Sequence, residues 1–422
     1  MFIADRPIKN EEEDFLGRRH FSRHLGESLL KWKETDSLIV ALYGKWGSGK
    51  SSVITLAKGW IEKKEDSEKP TIIEFNPWLF SEHDNLSEQF FNEIAKELEF
   101  RNDSKNDANI AQKLKLYSSI LDLSPHKSVL EKLSSKILIG LGLFGITSGQ
   151  IIQWLDIPLD KLKHFLFISG FLLIVVDIFK DFLIKLSNYF EQKAKIKQKT
   201  ALSLKKEIQD EVIKRNKKLL VIIDDIDRLS QSEIREIFRL IRANADFPNT
   251  TYLLAFDREI IEKNLQEQPG ISGKDYLEKI VQVNFDIPFT KSTKIAQYLF
   301  QELDGVLAAL PKTYETFFKQ DETYWTNIYH SGFKNFFRNI RDVKRFISSL
   351  KFNISQMYKE DVFEVNPIDF IAIEALRVFA PKFYIFMKSR NALFTSTDRD
   401  TGSRTNNPRQ EELQTAIDNL PT

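Results

Sequence analysis

The sequence contains no cysteine among its 422 residues, and it has no large excess of charge of either sign. The absence of cysteine excludes disulfide bonds, thiolate chemistry and cysteine-ligated metal sites. The 61 lysines and arginines are balanced by 60 aspartates and glutamates, which leaves a net charge of +1. A nearly neutral chain has no global field that favours nucleic acid, so any contact with DNA or RNA has to be local.

Histidine is also scarce, and the six histidines show metal-ligand spacing only at His20 and His24. That pair lies in a basic segment with Arg18, Arg19 and Arg23, which favours a solvated helix face over a zinc site. The N-terminus lacks a basic region followed by an apolar stretch, so we predict no cleavable signal peptide. At 422 residues, the chain is long enough for two or three structural units. Its content of 42% hydrophobic residues is typical of a largely soluble globular protein, and we expect that protein to be intracellular.

A glycine-rich stretch at residues 41–52, ALYGKWGSGKSS, matches the Walker A pattern G-x-x-x-x-G-K-[ST]. An apolar run of strand length precedes it, and apolar residues at helical spacing follow it. The alternative, a glycine-rich turn that matches by chance, is disfavoured by that context. We expect backbone amides and Lys50 to bind a polyphosphate, and the Ser51 hydroxyl to ligate magnesium. The predicted nucleotide-binding residues are Gly44, Trp46, Gly47, Ser48, Gly49, Lys50, Ser51 and Ser52.

A second apolar run, Leu219 to Ile223, ends in Asp224 and Asp225 and is a Walker B candidate. Asp224 would hold magnesium, and Asp225 would orient or deprotonate the attacking water. The alternative is a buried parallel strand that merely ends in solvated carboxylates. If the two motifs belong to one site, Lys50 and Asp224 have to lie close together in the fold.

Four arginines are candidates for contact with the γ-phosphate: Arg228, Arg258 and Arg341 as catalytic residues, beside Lys50 and Asp225, and Arg345 as a nucleotide-binding residue. Arg228 and Arg258 each follow the acidic end of a predicted strand, and in a parallel sheet those ends face the ligand. For these two, a local salt bridge to a neighbouring aspartate is an equal alternative. Arg341 and Arg345 lie on a basic helix within residues 336–350, where the alternative is a solvated face.

Two further stretches could contact the nucleotide, each with a structural alternative. The corner at Asn76, Pro77 and Trp78 follows a short predicted strand and lies either near the nucleotide or in a well-packed turn. Residues 1–36 either pack over the base or form a structural N-terminal helix.

Two apolar runs lie between the Walker motifs. Residues 137–155 carry no formal charge over nineteen residues, and residues 164–179 are interrupted by Asp177. Lysines are concentrated before and after the pair, which places both outer ends in the cytoplasm by the positive-inside rule. We predict a two-pass membrane hairpin over 137–179; the alternative is a helical hairpin buried against the domain or a partner protein.

Six stretches together resemble the KAP family of P-loop NTPases: GKWGSGKSS, EFNPWLFS, IIDDIDRLS, YLLAFDREII, YLEKIVQVNFDIP and NIRDVKRFI. The resemblance implies nucleotide and magnesium roles for Gly44, Lys50, Ser51, Asp224 and Asp225, and sensor roles for Arg341 and Arg345. It also implies that a membrane hairpin can be inserted between the Walker motifs, as is known in the family. By the same resemblance, the protein would function in organising membrane proteins or in defence against phage. Pro77 departs from the family, in which a small residue is common at that position.

The resulting prediction is an α/β, three-layer P-loop NTPase of ASCE type with a parallel sheet, an inserted helical hairpin and a C-terminal helical domain. The predicted divisions are 1–130 with Walker A, 131–192 as the hairpin, 193–290 with Walker B, 291–391 as the helical domain and 392–422 as a mobile tail.

The predicted function is hydrolysis of ATP with Mg²⁺ by a cytoplasmic domain anchored in the bacterial inner membrane, in a homo-oligomer or a complex with partner proteins. The alternative is a nucleotide-gated scaffold or switch with little hydrolysis. The absence of a guanine-reading N/T-K-x-D stretch favours ATP over GTP, and the neutral charge disfavours a DNA-acting motor.

Overall fold

Five short runs of apolar and β-branched residues form one parallel sheet. The strands are β1 (Leu38–Tyr43), β2 (Thr71–Phe75), β3 (Leu219–Ile223), β4 (Thr250–Phe256) and β5 (Val283–Asp286). Every residue of β1, β3 and β4 is buried, as expected for parallel strands that are covered on both faces. The computed structural model describes residues 3–391 except 82–84, 122–199, 216, 267–271, 321, 360–361 and 364, together with residue 414.

The strands lie in the order β2-β3-β4-β1-β5, so β4 separates the Walker A strand from the Walker B strand. The register pairs Ile223 of β3 with Leu254 of β4, and Leu254 with Ala41 of β1. All five strands run in the same direction, and their carboxyl ends therefore form one edge. The P-loop follows β1 at this edge, and the Walker B carboxylates follow β3 there, as the sequence predicts.

Helices cover both faces of the sheet and make three layers. Side chains alternate along β1, so Val40 and Leu42 face one layer while Ile39 and Ala41 face the other. The first layer contains helices Arg19–Lys31 and Lys50–Glu62. The second contains Leu86–Arg101, Asp107–Leu121, Gln231–Arg239 and the helical residues 200–213.

The remaining described helices continue the fold after β4. Helices Arg258–Leu265 and Gly273–Glu278 lead into β5. A separate apolar core then forms among helices rich in aromatic residues. These helices are Ser292–Leu307, Tyr314–Gln320, Glu322–Ser331, Ile340–Ile354 and Pro367–Phe379, and the helix Pro381–Ser389 follows them.

Several element boundaries differ from the sequence prediction. The chain after residue 290, expected to be wholly helical, contains a small antiparallel pair, Tyr358–Lys359 with Val362–Phe363. The apolar residues Ile280 and Val281 lie outside β5, which begins at Val283, because their amides donate to the Leu277 carbonyl and finish a helical turn. The domain divisions proposed from the sequence stay predictions.

The predicted membrane hairpin falls outside the described residues. Among the residues that the structure describes, no helix is both long and apolar enough to cross a membrane.

A buried ion pair fixes the chain on either side of residues 122–199. Asp107 begins one helix and Arg215 precedes β3, and both side chains are fully buried. Arg215 donates from Nε to Asp107 Oδ1 at 2.6 Å and from Nη2 to Oδ2 at 3.1 Å. It also donates to the Thr71 hydroxyl at the start of β2 and to the Lys217 carbonyl. The guanidinium is thus held from three directions.

We predict that Asp107→Ala destabilises the fold by about 3–5 kcal/mol, because it leaves the Arg215 charge buried without its partner. Urea unfolding measures this change. Glu99→Ala is the matched control, since it removes the exposed ion pair with Lys115 and should cost no more than about 1 kcal/mol. Equal losses for the two variants would contradict this account of the pair.

Candidate functional site

The loop after β1 has the conformation that a phosphate-binding loop requires. Gly47 and Gly49 have φ of 76° and 88°, in the left-handed region that side chains disfavour. At Gly44 the obstacle is space, since a Cβ there would lie 2.4 Å from Ser48 Oγ. The glycines of the Walker A pattern thus serve both backbone conformation and close packing.

Lys50 is the first residue of the helix that follows the loop, and its side chain folds back over it. Its ammonium donates to the Gly44 carbonyl at 2.9 Å and to Asp227 Oδ2 at 3.3 Å. Lys50 and Asp227 are both buried. The lysine is therefore held beside the loop by a backbone carbonyl and a buried carboxylate.

The Walker A and Walker B motifs meet directly. Ser51 Oγ donates to Asp224 Oδ2 at 2.6 Å, across 173 positions of sequence. Burial raises the pKa of the Asp224 carboxyl above its ordinary value, and the hydrogen bond from Ser51 opposes this rise. A hydroxyl and a carboxylate at this distance are oxygen ligands of the type that Mg²⁺ prefers.

Asp225 adopts a left-handed conformation, with φ of 62° and ψ of 26°. Its two carboxylate oxygens have different partners. Asn76 Nδ2 donates to Oδ2 at 3.0 Å, and Arg228 Nε lies 2.8 Å from Oδ1 in an ion pair. The corner after β2 is thus in contact with the candidate base.

The guanidinium of Arg228 lies between two indole rings. Its Cζ is 4.6 Å from the ring centre of Trp46, in the P-loop, and 4.8 Å from that of Trp78, in the corner after β2. Arg341 also lies over Trp46, at 5.2 Å, and forms an ion pair with Asp5 at 2.7 Å. Trp46 is therefore in contact with two of the four candidate arginines.

The other two candidate arginines are engaged outside this region. Arg258 donates from Nε to Glu262 Oε1 at 2.6 Å, one helical turn away, and lies over the Tyr43 ring. Arg345 donates to the Val378 carbonyl at 2.6 Å and lies over Phe379. Because neither lines the cavity beside the P-loop, the nucleotide-binding role predicted for Arg345 and the catalytic role predicted for Arg258 gain no support from this arrangement.

A cavity of about 400 Å³ adjoins the P-loop. Its wall combines the loop, the end of β3 and two parts of the chain that are distant in sequence: the N-terminal segment, residues 3–18, and helix Ile340–Ile354. Ile8 N donates to Ser52 Oγ at 3.4 Å, which joins the N-terminal segment to the P-loop helix. The part of residues 1–36 that precedes the first helix thus lies beside the cavity. Contact of this segment with the base of a nucleotide stays a prediction.

Two residues of this site carry no nucleotide role in the sequence prediction. Arg18 is buried; it donates to the Ser48 carbonyl in the loop and to Thr290 Oγ1 after β5, and burial lowers the pKa of its guanidinium. In the sequence it is one of several basic residues in a segment predicted to be solvated, so residue spacing does not indicate that Arg18 contacts the loop. Asp227 accepts from both Lys50 and the Asp257 amide, at 3.1 Å for the latter, and the third acid in IIDDID was its only signal.

The residues present fit a magnesium-bound nucleotide. Ser48 Oγ and Asp227 Oδ1 are buried beside the cavity without a hydrogen-bond partner among the described residues. Within those residues no cluster of three or more His, Asp or Glu side chains would hold a metal alone. Ser51 and Asp224 would supply part of the coordination, and phosphate oxygens suit the rest.

Comparison with known proteins agrees with this arrangement, since residues 18–357 match the KAP family P-loop domain. The chain belongs to the KAP family of P-loop NTPases. The Phage T7 exclusion protein of Escherichia coli (strain K12) is 28% identical over 311 residues, covering 71% of this KAP chain and 38% of that protein. The chain thus spans well under half of that relative.

Two archaeal structures show a weak overall likeness to this KAP chain. The Aeropyrum pernix ORC2 protein, in ADPNP and ADP complexes, gives a TM-score of 0.40 at 11% identity, covering 98% of this chain and 88% of its own. The Aeropyrum pernix ORC1 protein in complex with DNA gives 0.36 at 11%, covering 96% and 79%. These scores are too low to bear on function.

Proposed function

We propose that this KAP protein binds ATP with Mg²⁺ and hydrolyses it. The observation that carries the proposal is the contact of Ser51 with Asp224, with Asp225 as the next residue. When bound, the magnesium ion would neutralise phosphate charge beside these oxygens. Lys50 exchanges the Gly44 carbonyl and Asp227 for phosphate oxygens, and the loop amides surround the same group.

In the proposed reaction, water attacks the γ-phosphorus while Asp225 accepts a proton from that water. The bond between the γ-phosphorus and the β,γ-bridging oxygen breaks, and the products are ADP and inorganic phosphate. Arg341 lines the cavity and can approach the γ-phosphate if it gives up Asp5, which makes it the best placed of the sensor candidates.

A second function, a nucleotide-gated switch with little hydrolysis, is favoured by one observation. Both oxygens of Asp225 already have partners, Asn76 and Arg228. If these partners only orient the carboxylate, hydrolysis proceeds; if they also occupy the lone pairs that would accept a proton from water, turnover is slow. In that case ATP occupancy itself would assemble copies of the chain or a partner protein.

We predict that Asp225→Asn lowers kcat for ATP by about 10²- to 10⁴-fold, because the amide cannot accept the proton of water. Nucleotide affinity should change by no more than about threefold, since Asp225 is proposed to act on water and not on phosphate. Phosphate release under multiple turnover and binding of a fluorescent ATP analogue measure the two effects. Normal turnover by Asp225→Asn would contradict the assignment, and absence of turnover in the wild type would favour the switch.

Lys50→Ala is the contrasting variant in the same assays. It should weaken nucleotide binding roughly 10- to 150-fold through loss of a charged hydrogen bond. Lys58→Ala is its control, because Lys58 lies on the same helix but pairs with Glu74 at the surface.

We further propose that residues 137–179 associate this NTPase with a membrane. The support is the charge-free run at 137–155 and the lysines that flank the pair of apolar runs. The attached P-loop domain would then lie in the cytoplasm, where ATP is available.

We predict that the full chain floats with vesicles of bacterial lipids in a density gradient, and that deletion of residues 135–190 abolishes flotation. Nucleotide binding by the deletion variant shows that the P-loop domain is still folded. Recovery of the full chain in the soluble fraction would instead favour the hairpin buried against protein.

The similarity to the Phage T7 exclusion protein supports a role in limiting phage infection. We predict that bacteria expressing the wild-type chain plate a T7-like phage with reduced efficiency, and that Lys50→Ala restores plating. Lys58→Ala should protect as well as the wild type. Equal protection by Lys50→Ala would separate any exclusion from nucleotide binding.

A further inference from the structure

The corner after β2 contains an exposed aromatic residue that core packing does not explain. Trp78 is 47% exposed and its neighbour Leu79 is 68% exposed. The apolar contact of the corner is made instead by Phe80, which stacks on Phe75 at 5.6 Å between ring centres. The Trp78 ring contacts Arg228, whose Cζ lies 4.8 Å from the ring centre.

The two indole rings restrict a flexible side chain. Arg228 has several rotatable bonds, and its guanidinium lies between the rings of Trp46 and Trp78. A cation is attracted to the face of an indole ring, and Arg stacks on such faces readily. Contact with both rings limits the positions open to the guanidinium, whose Nε lies 2.8 Å from Asp225 Oδ1.

A carboxylate on a short side chain turns easily about its last bond, because that torsion has broad minima. Fixing the plane of the Asp225 carboxylate therefore takes a partner on each oxygen. Asn76 Nδ2 donates to Oδ2 at 3.0 Å, and Arg228 Nε lies 2.8 Å from Oδ1 as an ion pair without hydrogen-bond alignment. Each oxygen still has lone-pair capacity for a proton from water.

Asn76 is itself oriented by the corner. Its side-chain oxygen accepts from the Trp78 amide at 3.0 Å, which leaves its NH₂ group to point at Asp225. Pro77 is the first residue of the 3₁₀ turn Pro77–Phe80, where its fixed φ is compatible with this geometry. One short stretch thus reaches both oxygens of the carboxylate, one directly and one through Arg228.

We propose that Asn76 and Trp78 are positioning residues for hydrolysis, which hold the plane of the Asp225 carboxylate, Asn76 directly and Trp78 together with Trp46 through Arg228. The inference rests on the proposed hydrolytic function. It assigns a role to the Asn-Pro-Trp corner that nucleotide binding alone does not give it, because none of its three residues lines the cavity.

The experiment compares Trp78→Ala, Trp78→Phe, Asn76→Ala and Leu79→Ala in the full chain. Trp78→Ala and Asn76→Ala should each lower kcat for ATP about tenfold, with KM and nucleotide affinity within about twofold of the wild type. Trp78→Phe keeps a ring face and should recover most of the rate. Leu79→Ala, at the exposed neighbouring position, should have wild-type kcat and the same melting temperature as Trp78→Ala.

A double-mutant cycle tests whether Trp78 acts through Arg228. Adding Trp78→Ala to Arg228→Ala should lower kcat no further, because the contact that the ring supports is already gone. Additive losses would overturn the route through Arg228. Unchanged or increased kcat in Trp78→Ala and Asn76→Ala, with turnover by the wild type, would overturn the positioning role and leave the proposed ATPase intact. Absence of turnover by the wild type would instead contradict the ATPase itself, and the inference with it.

Discussion

The hydrogen bond between Ser51 and Asp224 depends on a sheet in which the Walker A and Walker B strands end at the same edge. β4 lies between those strands and sets their spacing through its register with both. The bond does not depend on the length of chain between the motifs. Residues 122–199 can therefore separate the two motifs in sequence without disturbing the site, provided that the chain is fixed on both sides of them. The buried ion pair of Asp107 with Arg215 fixes it in this way.

The parts of the fold that could be predicted from the sequence are those in which a local pattern reports local geometry. The sequence pattern correctly places a glycine loop between an apolar strand and a helix, and it places two acids directly after β3. The strand order could not be obtained in this way, because register and neighbours depend on contacts between segments far apart in the chain. The small strands at residues 358–363 were missed for a related reason, since two-residue ladders leave no periodicity to detect.

The arginines show where pattern alone fails and what would have helped. Arg258 follows a strand end, as an arginine near the phosphates would, but Glu262 lies one helical turn later and captures it. That competitor was visible in the sequence. For Arg345 it was not, because its acceptor is the Val378 carbonyl near the end of a helix on another part of the chain. Arg228 and Arg341 differ from the other two arginines because both lie over the Trp46 ring. No spacing rule predicts that Trp46 is exposed in the loop.

Trp46 also explains how the phosphate site can be connected to the C-terminal helices. Its ring contacts Arg228, which forms an ion pair with Asp225. The same ring contacts Arg341, which lies on helix Ile340–Ile354. That helix is tied to the N-terminal segment, since Ile3 N donates to Ser348 Oγ at 3.0 Å and Arg341 pairs with Asp5. Any shift of the loop on nucleotide binding would change the position of Trp46 relative to both arginines. Because Trp46 contacts Arg228 beside Asp225 and Arg341 on the C-terminal helix, such a shift would reach the proposed base and the C-terminal helices together, as the proposed hydrolase and the alternative switch would both require.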